Sequence, residues 1–462
     1  MIHMSSPHTA INNSGFLPRP LAVAEIMELA RNREKALSRV LMAFVTTGIL
    51  FMVFPGTFLG VWNLLQISGK ESVASISPAW LQAHGHAQVF GWVGSFILGI
   101  GFYSIPKQHG GKATTVLAPW LCWLMWTAGA ALRWGATIHY WHWRILLPAS
   151  ALLELAAFLI FFRSVSQHRP EVPGKAKLGP WIWVVISASI GLLLTLLSNL
   201  VGSILVAFRS NTPAFPHAWD QRYLALMAWG FLVPFVWGFS AKWMAVFLGL
   251  KPVRERLLLT AVLTNIIGVV FALFGSFLPA TLLFVLASSL AVAALRMFEP
   301  SIRAPKTRGI HSSFPFFVRM AYAWLLIAAA LGVAAVRWDT SGGIWGASRH
   351  ALTVGFISVM ILTVGQRILP AFAGMRLLWS TKLMFAGLFF VTLGCTLRVS
   401  CEVIAYQGYA NWAWNVLAIS ALCELSGLTL YATNILATFA FVPSHTCNQP
   451  MVVGLPLGTG TI

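Results

Sequence analysis

The stretch from His84 to Pro106, HGHAQVFGWVGSFILGIGFYSIP, returns near the other end of the chain as His350 to Pro370, HALTVGFISVMILTVGQRILP. With a shift of 264, the copies share His86 with His350, Ala87 with Ala351, Gly91 with Gly355, Ile97 with Ile361, Leu98 with Leu362, Gly101 with Gly365 and Pro106 with Pro370. Each copy is apolar over a length that crosses the ~30 Å of bilayer hydrocarbon, and each carries a histidine within it. An internal repeat with an intramembrane histidine in both copies frames the rest of the reading.

Of 462 residues, 58% are hydrophobic and 9% charged, too little polar surface to cover a soluble core of that size. The chain reads as an all-α, polytopic membrane protein. Apolar spans fall near 40–63, 80–106, 114–138, 144–165, 180–207, 217–248, 257–275, 278–298, 315–337, 346–370, 381–405 and 411–441, twelve in all. Lipid offers backbone groups no partner, and spans of this length without alternating polarity are helices rather than barrel strands. The net charge of +19 comes from basic loops that set topology, and no nucleic-acid motif accompanies it. Residues 22–35, AVAEIMELARNREK, have helical periodicity and predict a short helix on the inner surface, without the regions of a signal peptide. The five cysteines, at 122, 395, 401, 423 and 447, show no CxxC spacing and read as small residues, four of them in apolar spans.

Orientation follows from the Lys and Arg count. Twenty-one fall in the amino-terminal segment and the loops on its side, and 6 in the opposite loops, so both ends are expected to be cytoplasmic. The remaining four, Arg133, Lys242, Arg367 and Arg398, lie inside spans.

The repeat extends past the histidine spans. TAGAALRW in the third span matches TLGCTLRV in the eleventh, pairing Arg133 with Arg398, and ALLEL in the fourth matches ALCEL in the twelfth, pairing Glu154 with Glu424. A fainter echo, at a shift of 125, sets Gly230, Phe231, Lys242, Phe247, Gly249 and Lys251 under Gly355, Phe356, Arg367, Phe372, Gly374 and Arg376, with Ala225 where the outer copies have histidine. The expected layout is a segment 1–38, four-helix units at 39–165, 180–298 (degenerate) and 315–441, and a cytoplasmic tail 442–462.

Span direction puts His86, His350, Arg133 and Arg398 roughly 5 to 10 Å below the outer surface, with Glu154 and Glu424 nearer the midplane. Two histidines and two arginines at one depth suit a haem: two axial imidazoles, small residues such as Gly91, Gly94 and Gly355 beside the macrocycle, and cations for the propionates. The bland alternative has each histidine bonding a backbone carbonyl and each arginine pairing with its unit's glutamate. His84 is about 200° of helix away from His86, so the two cannot face one iron; His84 serves a second metal or caps the outer end. With His139, His142 and His217 it makes an outward set able to hold copper or a second haem, set against ordinary headgroup-level histidines. Lys242 and Arg367 occupy equivalent positions toward the cytoplasmic side, where Tyr103 stands in the first unit; they snorkel or meet a buried anion.

The twelve spans, HGHAQVFGW, HALTVG, GQRILPAF and the eleventh-span arginine resemble the NnrS family, haem- and copper-containing membrane proteins tied to the bacterial response to nitric oxide. That family is similar in turn to subunit I of haem-copper oxidases and nitric oxide reductases, with three arcs of four helices and a low-spin haem between the second and tenth. The resemblance implies His86 and His350 as axial ligands of a haem, taken as haem b, Arg133 and Arg398 as propionate partners, and a bacterial inner-membrane location. This chain departs from the pattern: TAVLTNIIGVVFALFG in the seventh span has no histidine, the tenth has His350 alone, and Ala87 and Gln88 stand where a glutamate is typical. Without those copper ligands it is not expected to reduce oxygen as the oxidases do. The function implied is NO binding, metal-centre protection or electron transfer in nitric oxide stress or denitrification. Competing readings are a transporter lined by Arg133, Glu154, Arg398 and Glu424, and a chaperone for metallocentre assembly.

Overall fold

The computed structural model describes residues 23–109, 116–167, 179–374 and 377–441. The tail 442–462, Cys447, Arg376 and the first 22 residues lie outside the described residues. The described chain is helical without a strand and holds twelve long helices: α1 Arg31–Lys70, α2 Pro78–Ile105, α3 Leu117–Ile138, α4 Trp143–Ser166, α5 Pro180–Arg209, α6 His217–Leu248, α7 Glu255–Leu273, α8 Phe277–Leu295, α9 Phe314–Trp338, α10 Gly343–Phe372, α11 Thr381–Tyr406 and α12 Trp412–Ala440. Eleven are long and apolar enough to cross a bilayer. The other, α3, is diluted by four tryptophans and Arg133. The chain is a multi-pass membrane protein. The short surface helix expected at 22–35 is not separate, because helix Val23–Phe51 runs unbroken into the first span.

Packing divides the twelve into three arcs of the same design. The third and fourth helices of each arc make its tightest pair, α3 on α4, α7 on α8 and α11 on α12. The fourth helix of each arc then packs on the first of the next, α4 on α5, α8 on α9 and α12 on α1, so the ring closes. The second helices, α2, α6 and α10, are the most buried. Since lipid is as apolar as a leucine side chain, close backbone approach rather than hydrophobic exclusion holds such helices together. A side chain at Gly91 would strike Phe51 of α1, one at Gly355 would strike Trp324 of α9, and one at Gly191 of α5 would run into the carbonyl of Gly230 on α6.

Each second helix also loosens into a π turn at the same register: Ala87–Gly94 after His86, Leu226–Leu232 after Ala225, and Ala351–Ser358 after His350. The wider turn misaligns backbone groups, and buried groups of that kind need partners. In the first two arcs the carbonyl four residues past that point is taken by the third helix: Trp126 Nε1 donates to Phe90 O at 2.8 Å, and Asn265 Nδ2 to Trp229 O at 2.7 Å. A fourth π turn, Met52–Phe58 in α1, surrounds Pro55, which has no N–H to donate. Gln88 Nε2 donates to Thr57 Oγ1 in that turn at 2.9 Å, joining α2 to α1.

Candidate functional site

The polar residues singled out in the repeat gather at the end of the bundle where α2 and α10 begin, in two groups. In the first, His86 Nε2 meets both oxygens of Glu154, at 3.2 and 3.3 Å, and its ring stacks on Phe90 at 4.7 Å. Glu154 is fully buried against Gly129, where a side chain would collide with its Cγ. It therefore reaches the histidine level instead of lying below it. Arg133 does not pair with Glu154 directly. Asn199 of α5 bridges them, its Oδ1 accepting from Arg133 Nη1 at 3.2 Å while its Nδ2 donates to Glu154 Oε2 at 3.3 Å. Ser203 Oγ takes a further bond from Nη1 at 3.1 Å, and the guanidinium lies 4.8 Å over the Phe215 ring. Phe215 is itself clamped by Gln82 of α2, which donates to its carbonyl at 3.1 Å and accepts from its N–H at 2.8 Å.

The second group is built on α10 and α11. His350 Nδ1 donates to Gly346 O at 2.9 Å and lies 3.1 Å from Glu402 Oε2. Arg398, one turn before Glu402 on α11, donates from Nη2 to Oε1 at 3.2 Å and brings Nε within 3.2 Å of Oε2. Its Nη1 is buried and meets no acceptor. Gly346 is required here, because a side chain would occupy the place of the Glu402 carboxylate. Asp339 fixes the start of α10, accepting from Ser341 N at 3.1 Å, Gly342 N at 2.8 Å and Trp345 N at 2.7 Å. Glu424, expected as the partner of Arg398, instead lies against Gly394 with Oε1 buried and unbonded, in electrostatic reach of His350, Arg398 and Glu402.

His84 sits against α1, in electrostatic reach of this second group. Its Nδ1 donates to Gly56 O at 2.9 Å, its ring is seated against Gly60, and it feels the charges of His350 and Arg398. His84 and His350 are thus held alike, Nδ1 on a carbonyl and Nε2 left to a ligand, the usual arrangement of a metal-binding imidazole. His86 fits that task less well. Its Nε2 faces Glu154, so binding iron would require displacing the carboxylate or using Nδ1. Arg398 Nη1 is a donor suited to a propionate. The donor types of His84, His350 and Arg398 fit a haem.

Other expectations are corrected. Gly91 and Gly355 receive aromatic rings of the neighbouring helices rather than lining a space beside the histidines. The outward copper set is not assembled: His139 packs on Trp134 at 5.5 Å, His142 on Trp141 at 6.1 Å, and His217 lies by Gln221. Among the described residues no three His, Cys, Asp or Glu side chains gather as a metal site. Lys242 sits 3.8 Å over the Trp181 ring and Arg367 4.5 Å over the Phe247 ring, both in cation–π contact. Cys122, Cys395, Cys401 and Cys423 are free thiols.

This arrangement of three closed arcs resembles the fold of haem-copper oxidase subunit I. Among solved structures the chain is similar to a haem-copper terminal oxidase, solved as a dimer by cryo-EM, at 12% identity over 88% of this chain and 84% of that one, with a TM-score of 0.55. At that identity the likeness concerns fold. A family model described as a domain of unknown function, DUF8744, matches residues 243–434, less than half of the chain. No curated protein matches it.

Proposed function

We propose that the chain is a haem-binding membrane protein of NnrS type, acting in nitric oxide stress or denitrification by binding NO, protecting metal centres or passing electrons. We assign His84 and His350 as the residues that would hold the haem iron, Arg398 as the residue that would meet a propionate, and the bacterial inner membrane, with both ends cytoplasmic, as the location. The observation that carries this reading is the matched seating of the two imidazoles on α2 and α10, each with Nδ1 on a glycine carbonyl, beside an arginine with an unmet donor. A haem held there would supply one-electron chemistry and, on loss of one imidazole, a site for NO. The protein's part is orientation: Gly56 and Gly346 fix the two ring tautomers, and Glu402 lies 3.1 Å from His350 Nδ1 and helps hold the ring. The His86, Glu154, Asn199 and Arg133 group then braces the first arc against the second. Among the described residues no donor set for copper is gathered.

The test is the optical spectrum of detergent-purified protein, oxidised and then dithionite-reduced, before and after NO. Sharp reduced bands are expected, lost in His84→Ala and in His350→Ala but kept in His86→Ala. Loss in His86→Ala with retention in His84→Ala would return the ligand role to His86. Colourless protein from haem-supplied cells would overturn the haem reading and favour the transporter. An NO-induced shift marks a ligand that yields, whereas unmoved bands mark electron transfer.

A further inference from the structure

Away from the histidines, two grooves run along seams between arcs, both near the end of the bundle opposite the histidine clusters. One, of about 470 Å³, lies where α12 meets α1 and is lined by Met42, Thr46, Trp123, Leu436 and Phe439. The other, of about 600 Å³, lies where the α8–α9 connection meets the start of α9 and is lined by Phe298 and Ser312 of that connection and by Pro315, Phe316, Met320 and Ala323 of α9, with Arg319 in its wall. Phe298 and Phe316 stand exposed at its sides. The loops beside this second groove, 250–256 and 296–308, carry seven basic residues against two acids. Of the basic residues, Lys251, Arg254, Arg256, Arg303, Lys306 and Arg308 are exposed.

The loop backbone that carries these charges is held in place. Ile302 N and Arg303 N donate to Gly249 O at 2.8 and 3.2 Å, and Lys306 N donates to Phe247 O at 2.9 Å. Gly249 adopts φ +66°, and a side chain there would strike the Arg303 carbonyl. Arg319 donates to Met297 O at 3.1 Å and to Ser301 Oγ at 3.2 Å, fastening the loop to the groove wall. Glu299 is taken up by Arg254 at 2.9 Å and Arg296 at 2.8 Å, so its charge is already neutralised. An apolar slot within the bilayer, ending at a fixed basic rim, matches one ligand class: an acyl chain joined to an anionic headgroup.

We propose that the α8–α9 groove is a binding site for an anionic phospholipid, its acyl chain in the slot and its phosphate at the basic rim. The claim is independent of haem. The experiment uses delipidated full-length protein in a neutral detergent, with binding followed by native mass spectrometry and thermal unfolding. The probes are dioleoylphosphatidylglycerol, dioleoylphosphatidylcholine and inorganic phosphate. Phosphatidylglycerol is expected to bind about tenfold more tightly than phosphatidylcholine, in line with the pull of a few basic residues near an anionic headgroup. Phosphate alone is expected to leave the melting temperature unchanged. Ala323→Phe, which fills the slot, should remove the tight lipid. The surface triple variant Arg303→Gln, Lys306→Gln, Arg308→Gln, which touches no core, should erase the preference while keeping weak binding of both lipids. Equal affinity of the wild type for the two lipids would overturn the proposal, as would an unchanged preference in the triple variant or equal protection by phosphate.

Discussion

Replacing Asn199 by alanine removes a side chain that bonds both buried charges of the first arc. Two bonds disappear, the one accepted from Arg133 at 3.2 Å and the one donated to Glu154 at 3.3 Å. Arg133 keeps Ser203, and Glu154 keeps His86. Hydrogen bonds to charged groups are worth about 1.5–3 kcal/mol each, and opening a buried charged pair costs about 3–5 kcal/mol. The expected loss is therefore about 3–5 kcal/mol. It is measurable as the shift in an SDS-unfolding titration from mild detergent, beside Leu194→Ala on the lipid-facing side of the same helix. Asn199→Ala combined with Glu154→Gln should lose less than the sum of the singles, since both act on one network. A loss for Asn199→Ala no larger than that of Leu194→Ala would refute the bridging role.

Gly91→Ala and Gly355→Ala should each destabilise by about 1–3 kcal/mol, because a new Cβ meets the Phe51 or Trp324 ring. Gly135→Ala on α3, with open space at that position, should be neutral or stabilise by up to about 1 kcal/mol in the same titration. Asp339→Ala frees three N–H groups at the start of α10 and should cost about 1–2 kcal/mol, with a larger loss of haem retention than of global stability because His350 lies on that helix. The Arg296 hydrogen bond, helped by Arg254 and Lys251, holds the Glu299 carboxyl below its ordinary value of 4.5. Its contribution is thus present above that pH and lost as pH falls through the lower, folded value. Wild type and Glu299→Gln should differ in melting temperature at pH 7 and converge at pH 3; a constant gap would count against the interaction.

The three-arc plan was legible because residues repeat: Arg133 with Arg398, Glu154 with Glu424, and Ala225 at the histidine register all reappear as equivalent positions. What escaped was phase and partner. Gly91 and Gly355 fall inside the π turns that follow the histidines, where the helical phase departs from 3.6 residues per turn, and they receive the Phe51 and Trp324 rings. Asn199 lies on a helix outside the outer repeats and carries no sequence signal of its own. Glu402 did have one, since Arg398-x-x-x-Glu402 is a helical ion-pair spacing, but the ALLEL and ALCEL match drew attention to Glu424. His84 and His86 meet different partners, Gly56 and Gly60 of α1 for His84 and Glu154 of α4 for His86, and no pattern within α2 records those seats.

Because α12 packs on α1 as α4 packs on α5 and α8 on α9, the bundle is a circle in which the covalent order of the arcs is almost arbitrary. A circular permutant whose α12 is joined to α1 by a linker, and which is opened between α4 and α5, would have the same neighbours for every helix. Such a molecule would insert its arcs in the order second, third, first, separating the sequence of synthesis from the architecture it produces.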